Sequence, residues 1–386
     1  MIETIIHIFD YILFFCMGIM VIYLFVFAIA SQSKKSHKYP QAEKKNRYAI
    51  LFPAYKEDKV IISSVVAFLK QQYPPELYDI VVISDQMQEK TDEDLKQMGI
   101  ILLKANYKDS SKAKALQLAM NSLDEEKYDA VVIMDGDNLV EPSFLEEANN
   151  AFSAGCQAIQ THRMAKNRNT PTALLDAVSE ETNNSIFRKG HVNLGLSSAL
   201  IGSGMVFNYK WFKKNIYTVS TAGEDKELEA LLLKQRIHVE YLDHVNVYDE
   251  KISKDMAFYN QRRRWLAANY GILVHTFPDL PKAISSRNWD YCDKIFQWML
   301  LPRIILLGGI GFIAFVIMLY SWVLSLKWWG LLVLLLLTLA IATPKYLKNK
   351  DLARSLVKIP WLAILMFLNF FRLKGVNKKF IHTEHE

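Results

Sequence analysis

Residues 130–138 read AVVIMDGDN, a short apolar run followed at once by two carboxylates. The run 130–134 shows little alternation, which is typical of a strand buried on both faces of a parallel sheet. Asp135 and Asp137 follow its end, where the loops of an open α/β sheet converge. Two carboxylates around a glycine can bind a hard cation such as Mg²⁺ or Mn²⁺ and leave positions for phosphate oxygens. The alternative is a solvated turn that caps the next helix.

Similar apolar runs extend this pattern toward the N-terminus. Strands are predicted at 48–52, 80–83 and 100–103, and helices at 58–72, 111–121 and 142–154, each opened by a capping residue or proline. This alternation predicts one soluble α/β domain over residues 47–275, with a mostly parallel, Rossmann-like sheet. The first strand runs into PAYKE at 53–57 and the second ends at Asp85, so we expect these polar groups at the same sheet edge.

Apolar residues concentrate at the two ends of a chain that is 51% hydrophobic over 386 residues. The uncharged stretch 11–30 has the roughly 20 residues that a spanning helix needs, so residues 1–30 are predicted to be a transmembrane anchor. A cleaved signal peptide is the alternative, but no Lys or Arg precedes the stretch and no small-residue cleavage pattern follows it. The linker 31–46 is rich in basic residues, and the positive-inside rule therefore places the following domain in the cytoplasm.

A second apolar region predicts a transmembrane hairpin over residues 304–346, with spans at 304–324 and 328–343 and a turn between them. An interfacial amphipathic segment, 276–303, precedes it. Residues 347–386 combine a basic loop, an apolar stretch and a C-terminal tail. The stretch, 359–371, is too short to cross comfortably and is predicted to form an interfacial or re-entrant helix.

Charge and cysteine content exclude several classes of protein. The 46 Lys and Arg against 40 Asp and Glu give a net charge of +6, and the basic residues lie beside the predicted membrane segments. Membrane lipid is therefore an expected partner, and nucleic acid is not needed to explain them. Cys16, Cys156 and Cys292 are widely spaced, which argues against a disulfide framework and a structural zinc site.

Two further motifs carry charge in the second half of the domain. Glu224 and Asp225 precede a predicted helix and could serve merely to cap it. Residues 261–265 read QRRRW, in which Arg264 can make bidentate hydrogen bonds to a diphosphate and Trp265 can stack on a sugar ring. The alternative for 261–265 is a basic helix lying on anionic lipid.

In their order and spacing, these motifs resemble the membrane-bound family 2 glycosyltransferases, whose relatives include cellulose synthase and hyaluronan synthase. The resemblance runs from about residue 47 to residue 270 and implies a GT-A fold. It also covers 193–205, where Gly202 and Gly204 would let backbone approach a ligand; a glycine-rich turn is the alternative. Gly223 and Glu89 depart from the family pattern, which more often has Thr and Asp at these positions.

The resemblance assigns roles to individual residues. It implies that Asp225 is the catalytic base, that Glu224 and Trp265 contact the acceptor, and that Asp135 and Asp137 bind Mg²⁺ or Mn²⁺. The residues that it implies contact the nucleotide sugar are Ala54, Tyr55, Glu57, Asp85, Lys112, Asp135, Gly204, Gln261 and Arg264. One base and one in-line displacement predict inversion at the anomeric carbon. Uridine diphosphate sugars are the commonest donors of the family.

The acceptor is left open between two classes at the cytoplasmic face of the plasma or inner membrane. A synthase could extend a polysaccharide, but three predicted spans offer little lining for a pore, so another subunit or oligomerisation of this chain would be needed. A lipid-linked acceptor would instead receive a single sugar. A catalytically silent membrane subunit that binds nucleotide sugar or a polysaccharide partner is an alternative of another class, and a transporter fits poorly because charges are lacking inside the spans.

Overall fold

A computed structural model describes residues 2–33, 38–221, 223–252 and 255–370. Part of the predicted linker, at 34–37, and the predicted C-terminal tail from 371 onward lie outside the described residues. The predicted α/β domain and all the predicted spans lie almost wholly within them, so the placement of the site residues can be followed from strand to strand.

An eight-stranded sheet forms the centre of the α/β domain. Its strands are β1 (Tyr48–Tyr55), β2 (Tyr78–Asp85), β3 (Ile101–Ala105), β4 (Ala130–Ile133), β5 (Leu139–Val140), β6 (Ala158–Ala165), β7 (Met205–Asn208) and β8 (Val239–Asp249). They lie in the order β3-β2-β1-β4-β7-β6-β8-β5. The four strands β3, β2, β1 and β4 are mutually parallel, as are β6 and β8, whereas β7 and β5 are antiparallel to their neighbours. The mostly parallel sheet predicted from the apolar runs is confirmed.

Burial on both faces explains why the apolar runs of the first strands do not alternate. Ile50 and Phe52 pack into one hydrophobic core, whereas Ala49 and Leu51 pack into a second core on the opposite face. Both sets are fully buried. Strands β1, β2 and β4 were predictable for this reason, because a strand covered by helices on both sides has no polar face.

Helices cover the sheet and continue into the membrane segments. They are α1 (Ile2–Ala30), α2 (Ile61–Phe68), α3 (Glu89–Gln97), α4 (Lys112–Ser122), α5 (Phe144–Ser153), α6 (Pro171–Asn183), α7 (His191–Asn193), α8 (Tyr209–Ile216), α9 (Glu224–Lys234), α10 (Asp255–Thr276), α11 (Leu280–Ser285), α12 (Trp289–Met299), α13 (Arg303–Tyr320), α14 (Trp322–Ala342), α15 (Lys350–Ser355) and α16 (Ile359–Phe370). Helix α4 begins as predicted, since the Ser111 hydroxyl accepts a hydrogen bond from the Lys114 amide and caps it. Helix α2 begins later than predicted, because the Asp58 carboxylate accepts hydrogen bonds from Gln88 and Thr91.

Three of these helices are long and apolar enough to cross a membrane, at His7–Ala30, Arg303–Tyr320 and Trp322–Ala342. The predicted turn at 325–327 is wrong. The chain breaks instead at Ser321, whose extended backbone ends α13 and whose hydroxyl accepts the Leu324 amide at the start of α14. Lys327 lies inside α14, where it forms an ion pair with Asp10 of α1. This pairing explains why a basic residue does not end the helix.

The helix that follows β6 connects the domain to the membrane helices. Helix α6 continues as a π-helix over Asn184–Gly190, in which a Cβ on Gly190 would lie 2.3 Å from the Phe27 carbonyl oxygen of α1. The Ser185 hydroxyl donates to the Ala342 carbonyl at the end of α14 over 2.6 Å. The Asn193 amide donates to the Ala30 carbonyl over 2.9 Å. The ends of α1 and α14 are therefore held against the α/β domain.

Candidate functional site

One cavity of about 1330 Å³ contains nearly all the predicted site residues. We call its part beside the sheet the polar half. It is lined by Ala54, Tyr55, Glu57, Asp85, Lys112, Asp135, Asp137, Glu224, Asp225, Gln261, Arg264 and Trp265. The cavity continues between the apolar helices α1, α13, α14 and α16 as the apolar half, lined by Leu24, Leu307, Leu339, Leu362 and Met366.

The ends of β1 and β2 form one wall of the polar half. Asp85 is the last residue of β2 and is almost fully buried. Burial raises the pKa of its carboxyl, and a hydrogen bond from Ser110 acts in the opposite direction. Glu57 packs on the loop that follows β4, because a Cβ on Gly136 would lie 2.9 Å from its Cγ. The absence of a side chain at residue 136 therefore lets Glu57 pack closely against this loop.

Lys112 is the cation at the centre of the polar half. Its Nζ forms an ion pair with Asp135, donates to the Gly202 carbonyl over 2.7 Å and lies 3.5 Å from Glu224 Oε1. Burial acts to lower the pKa of Lys112, but Asp135 and Glu224 outweigh it and the pKa is raised. The first residue of α4 therefore stays positively charged at the place where the resemblance implies the donor's phosphates.

Asp135 and Asp137 stand on the loop after β4 and have different surroundings. Asp137 is buried, its Oδ2 accepts the Glu250 amide over 2.8 Å, and its Oδ1 accepts the Asn138 side-chain amide over 3.1 Å. Each carboxylate oxygen has two lone pairs, so a carboxylate that accepts hydrogen bonds can also bind a cation. Hard oxygen ligands of this kind suit Mg²⁺ or Mn²⁺. No group of three or more acidic, His or Cys ligands is found among the described residues, so further ligands would come from phosphate and water.

Two neighbouring carboxylates at the start of α9 differ in exposure. Glu224 is buried, and burial raises its pKa to about 7, with Lys112 opposing and Asp225 adding to the shift. The Asp225 side chain is more exposed, at 18%, and its Oδ2 lies 3.7 Å from Lys226 Nζ. Lys226 is held in turn by the Leu200 carbonyl over 2.8 Å. Both carboxylates line the cavity, and Asp225 is the more accessible of the two to a ligand.

Helix α10 contributes the cationic and aromatic part of the site. Burial lowers the pKa of Arg264, and Glu224, Asp135 and Asp225 oppose that shift. Arg264 therefore lies near these carboxylates in the same cavity. Trp265 lies under the Arg262 guanidinium, with 4.4 Å between the guanidinium carbon and the ring centroid.

The structure places Gly204 outside the cavity. Gly204 has φ +62°, and a Cβ there would lie 2.3 Å from the Thr161 hydroxyl oxygen. Gly202, with φ +86°, lines the cavity instead, and a Cβ there would lie 3.7 Å from both Lys112 Nζ and Glu224 Oε1. Both positions require the backbone conformation that glycine adopts readily, but only Gly202 could contact a ligand.

Sequence reasoning missed the buried ion network behind the acidic loop. Arg163 of β6 lies 3.8 Å from Asp135, 3.6 Å from Asp249 and 3.1 Å from Glu180. It is buried and thus holds Asp135 from the side opposite Lys112. The only signal was a basic residue inside the run AIQTHRMA at 158–165, which was not predicted to be a strand.

A sequence model described as Glycosyltransferase like family 2 matches residues 46–268, a range that includes all eight strands and the polar half. The chain belongs to that family. No curated protein sequence matches the chain significantly.

Solved structures are similar to this family 2 glycosyltransferase to different degrees. One is the mannosyltransferase PcManGT from Pyrobaculum calidifontis in complex with GDP-Man and Mn²⁺, with a TM-score of 0.53 and 14% identity over 92% of this chain and 97% of that chain. Another is S. aureus TarS 1-349, with a TM-score of 0.38 and 15% identity over 58% of this chain and 65% of that chain. The first likeness shows a GT-A fold, and the second is too weak to add to it. The closer resemblance to cellulose and hyaluronan synthases stays a prediction.

Proposed function

We propose that the protein is an inverting hexosyltransferase that moves a sugar from a nucleoside diphosphate sugar to an acceptor at the cytoplasmic face of a membrane. The observation that carries the proposal is the polar half, where Lys112 and Arg264 lie beside Asp135 and Asp137 with Asp225 at the same cavity. Cations and metal-binding carboxylates suit a diphosphate, and a reachable carboxylate suits a base.

The donor's nucleotide would lie against the ends of β1 and β2. Ala54, Tyr55 and Asp85 line that wall, and a buried carboxylate such as Asp85 can accept hydrogen bonds from a base or ribose. Uridine is the nucleoside that the family resemblance favours. Lys112 and Arg264 would then face the diphosphate and stabilise the negative charge that develops on the leaving group.

Asp135 and Asp137 would hold Mg²⁺ or Mn²⁺ in this chain. When bound, the cation would neutralise diphosphate charge and orient the leaving group. The chain's own contribution is to fix both carboxylates: Arg163 and Lys112 hold Asp135, while Asn138 and the Glu250 amide hold Asp137.

Asp225 would accept the proton of an acceptor hydroxyl as its oxygen attacks the anomeric carbon. A single base on one side of the sugar implies one displacement and therefore inversion. Glu224, with a pKa of about 7, can remain partly protonated and donate a hydrogen bond to the acceptor. Trp265 lines the same cavity and offers an apolar face for a sugar ring.

The test is a transfer assay with the full chain in lipid nanodiscs. The protein would be incubated with Mg²⁺ or Mn²⁺ and a panel of nucleotide sugars, and release of nucleoside diphosphate would be measured. We expect one donor to be used and the product to carry the β-linkage when the donor is α-linked. Absence of release with every donor would favour a catalytically silent subunit, and a retained α-linkage would contradict inversion.

A further inference from the structure

The apolar half is lined mainly by aliphatic side chains, which offer no hydrogen bonds to a sugar chain. Leu307 of α13, Leu339 of α14 and both Leu362 and Met366 of α16 line it, together with Leu24 of α1. Sugar hydroxyls lose hydrogen bonds when they enter such surroundings, whereas hydrocarbon is stabilised there. Because the cavity is continuous with the polar half, a molecule that fills both halves must join a hydrocarbon chain to a polar head.

Arg303 stands where the two halves meet, at the first residue of α13. Its Nη2 donates to the Ser179 carbonyl over 3.1 Å and to the Asn183 amide oxygen over 2.8 Å. Its Nη1 is buried and has no hydrogen-bond partner among the described residues. The nearest aromatic ring is that of Phe187, with 6.0 Å from the guanidinium carbon to the ring centroid.

The neighbouring arginines differ from Arg303 in having counterions. Arg188 pairs with Glu180 over 3.1 Å, and Arg262 pairs with Asp176. Arg303 makes hydrogen bonds only to neutral groups and no ion pair with a carboxylate in the part of the chain that the structure describes. Glu180 acts on this partly buried guanidinium only from beyond ion-pair distance. A cation that is partly desolvated without a close carboxylate favours an anionic ligand.

We propose that the acceptor is a membrane phospholipid whose head group carries a free hydroxyl. Its chains would occupy the apolar half, its phosphodiester would bind the Arg303 guanidinium, and its hydroxyl would extend to Asp225. This inference rests on the proposed function and specifies the chemical class of its acceptor. A growing polysaccharide is not favoured, because the apolar half could not satisfy its hydroxyls.

The transfer step balances without a further reactant. The bond between the anomeric carbon and the diphosphate oxygen breaks, and nucleoside diphosphate leaves with the electron pair. The lipid hydroxyl oxygen forms the new bond to the anomeric carbon, and its proton passes to the Asp225 carboxylate. The products are a glycosylated phospholipid and a nucleoside diphosphate.

The first experiment compares three probes as acceptors for the full chain in phosphatidylcholine nanodiscs with a labelled donor. Phosphatidylglycerol has chains, phosphate and hydroxyls, diacylglycerol lacks the phosphate, and glycerophosphoglycerol lacks the chains. We expect efficient transfer only to phosphatidylglycerol, seen as one discrete lipid product. Equal transfer to the soluble probe, or a ladder of extended products, would overturn the inference while leaving the proposed function intact. If no nucleoside diphosphate were released with any of many acceptors, the proposed function itself would be contradicted.

The second experiment changes Arg303. We expect Arg303→Gln to reduce the preference for phosphatidylglycerol over diacylglycerol by roughly 10- to 100-fold, as loss of a charged hydrogen bond implies, and Arg303→Lys to restore part of it. A purely structural role would lower transfer to both lipids equally and leave the preference unchanged. That result would contradict the assignment of the phosphate to Arg303.

The third experiment fills the apolar half. Ala340 of α14 lines the cavity, whereas Leu337, one turn earlier, is 52% exposed and does not line it. We expect Ala340→Trp to raise the KM for phosphatidylglycerol by at least about 10-fold because it occupies the space of a chain. Leu337→Trp is the matched control and should leave that KM unchanged. Equal effects of the two substitutions would show that the lipid does not enter between the helices.

Discussion

The polar half and the apolar half of the cavity are built from different elements and are recognised in different ways. The polar half is built at the ends of β1, β2 and β4 and at the start of α4 and α9. Its residues stand in short motifs, because each must keep a fixed place relative to a strand end. The apolar half is made by helices whose composition is uniformly apolar, and no motif distinguishes a cavity-lining leucine from a lipid-facing one. Local chemistry identifies the first half, and packing alone identifies the second.

The largest expected effect in the polar half follows from changing the proposed general base, Asp225. We expect Asp225→Asn to lower the rate of transfer by about 10²–10⁴-fold with little change in donor affinity, because a general base acts on the acceptor proton. The rate would be followed by diphosphate release and the affinity by titration calorimetry. Glu126→Gln, at an exposed carboxylate, is the control. Near-normal turnover would assign the base to another residue.

A second test concerns a buried pair between the α/β domain and the segment that leads to the membrane. Glu229 of α9 and Lys294 of α12 are fully buried, with 3.1 Å between their charged atoms. We expect Glu229→Gln to lower the free energy of unfolding by about 3–5 kcal/mol, because it leaves a buried cation with one partner fewer. Thermal unfolding would measure the loss. The double variant with Lys294→Met should recover much of it, and failure to recover would show that the pair is not a unit.

Metal dependence tests whether Asp135 and Asp137, on the loop after β4, bind a divalent cation. We expect chelation with EDTA to abolish transfer and Mg²⁺ or Mn²⁺ to restore it, and Asp137→Asn to lower activity by about 100-fold or more at saturating metal. Metal titration by calorimetry would accompany the assay. Full activity in EDTA would remove Asp135 and Asp137 from metal binding and leave Lys112 and Arg264 to neutralise the donor.

The smallest expected effect is the pH dependence contributed by Glu224. Its pKa rises from 4.5 to about 7 in the folded chain. The folded state therefore retains a proton that the unfolded state loses, so this group makes folding less stable as pH rises from about 4.5 to about 7. We expect Glu224→Gln to unfold like the wild type at pH 4.5 and to be more stable at pH 8, by about 1–2 kcal/mol. Equal unfolding curves at both pH values would contradict the shift.

Comparison of individual elements shows which features were predictable. Strands β1, β2 and β4 were recognised because both faces are buried, which leaves a continuous apolar run. Strand β3 at the sheet edge is only partly buried, but its apolar residues were sufficient to predict it. Strand β6 carries Gln160, His162 and Arg163, each of which has tertiary partners, and its sequence looks polar. The turn placed at 325–327 was wrong for the same reason, since Lys327 is neutralised by Asp10 from a helix distant in sequence.

By itself, the sequence of this protein determined a parallel α/β domain between membrane segments and the identity of nearly every group in the polar half. Those features depend on local patterns, namely apolar runs of strand or span length and charged residues at fixed offsets from them. Only the tertiary structure showed that Gly202 lines the cavity and Gly204 does not, that Arg163 holds Asp135, and that the cavity continues between the membrane helices to Arg303. These features arise from contacts between elements that are far apart in the chain. Such contacts do not produce a periodic pattern in the sequence, so they could not be predicted from it.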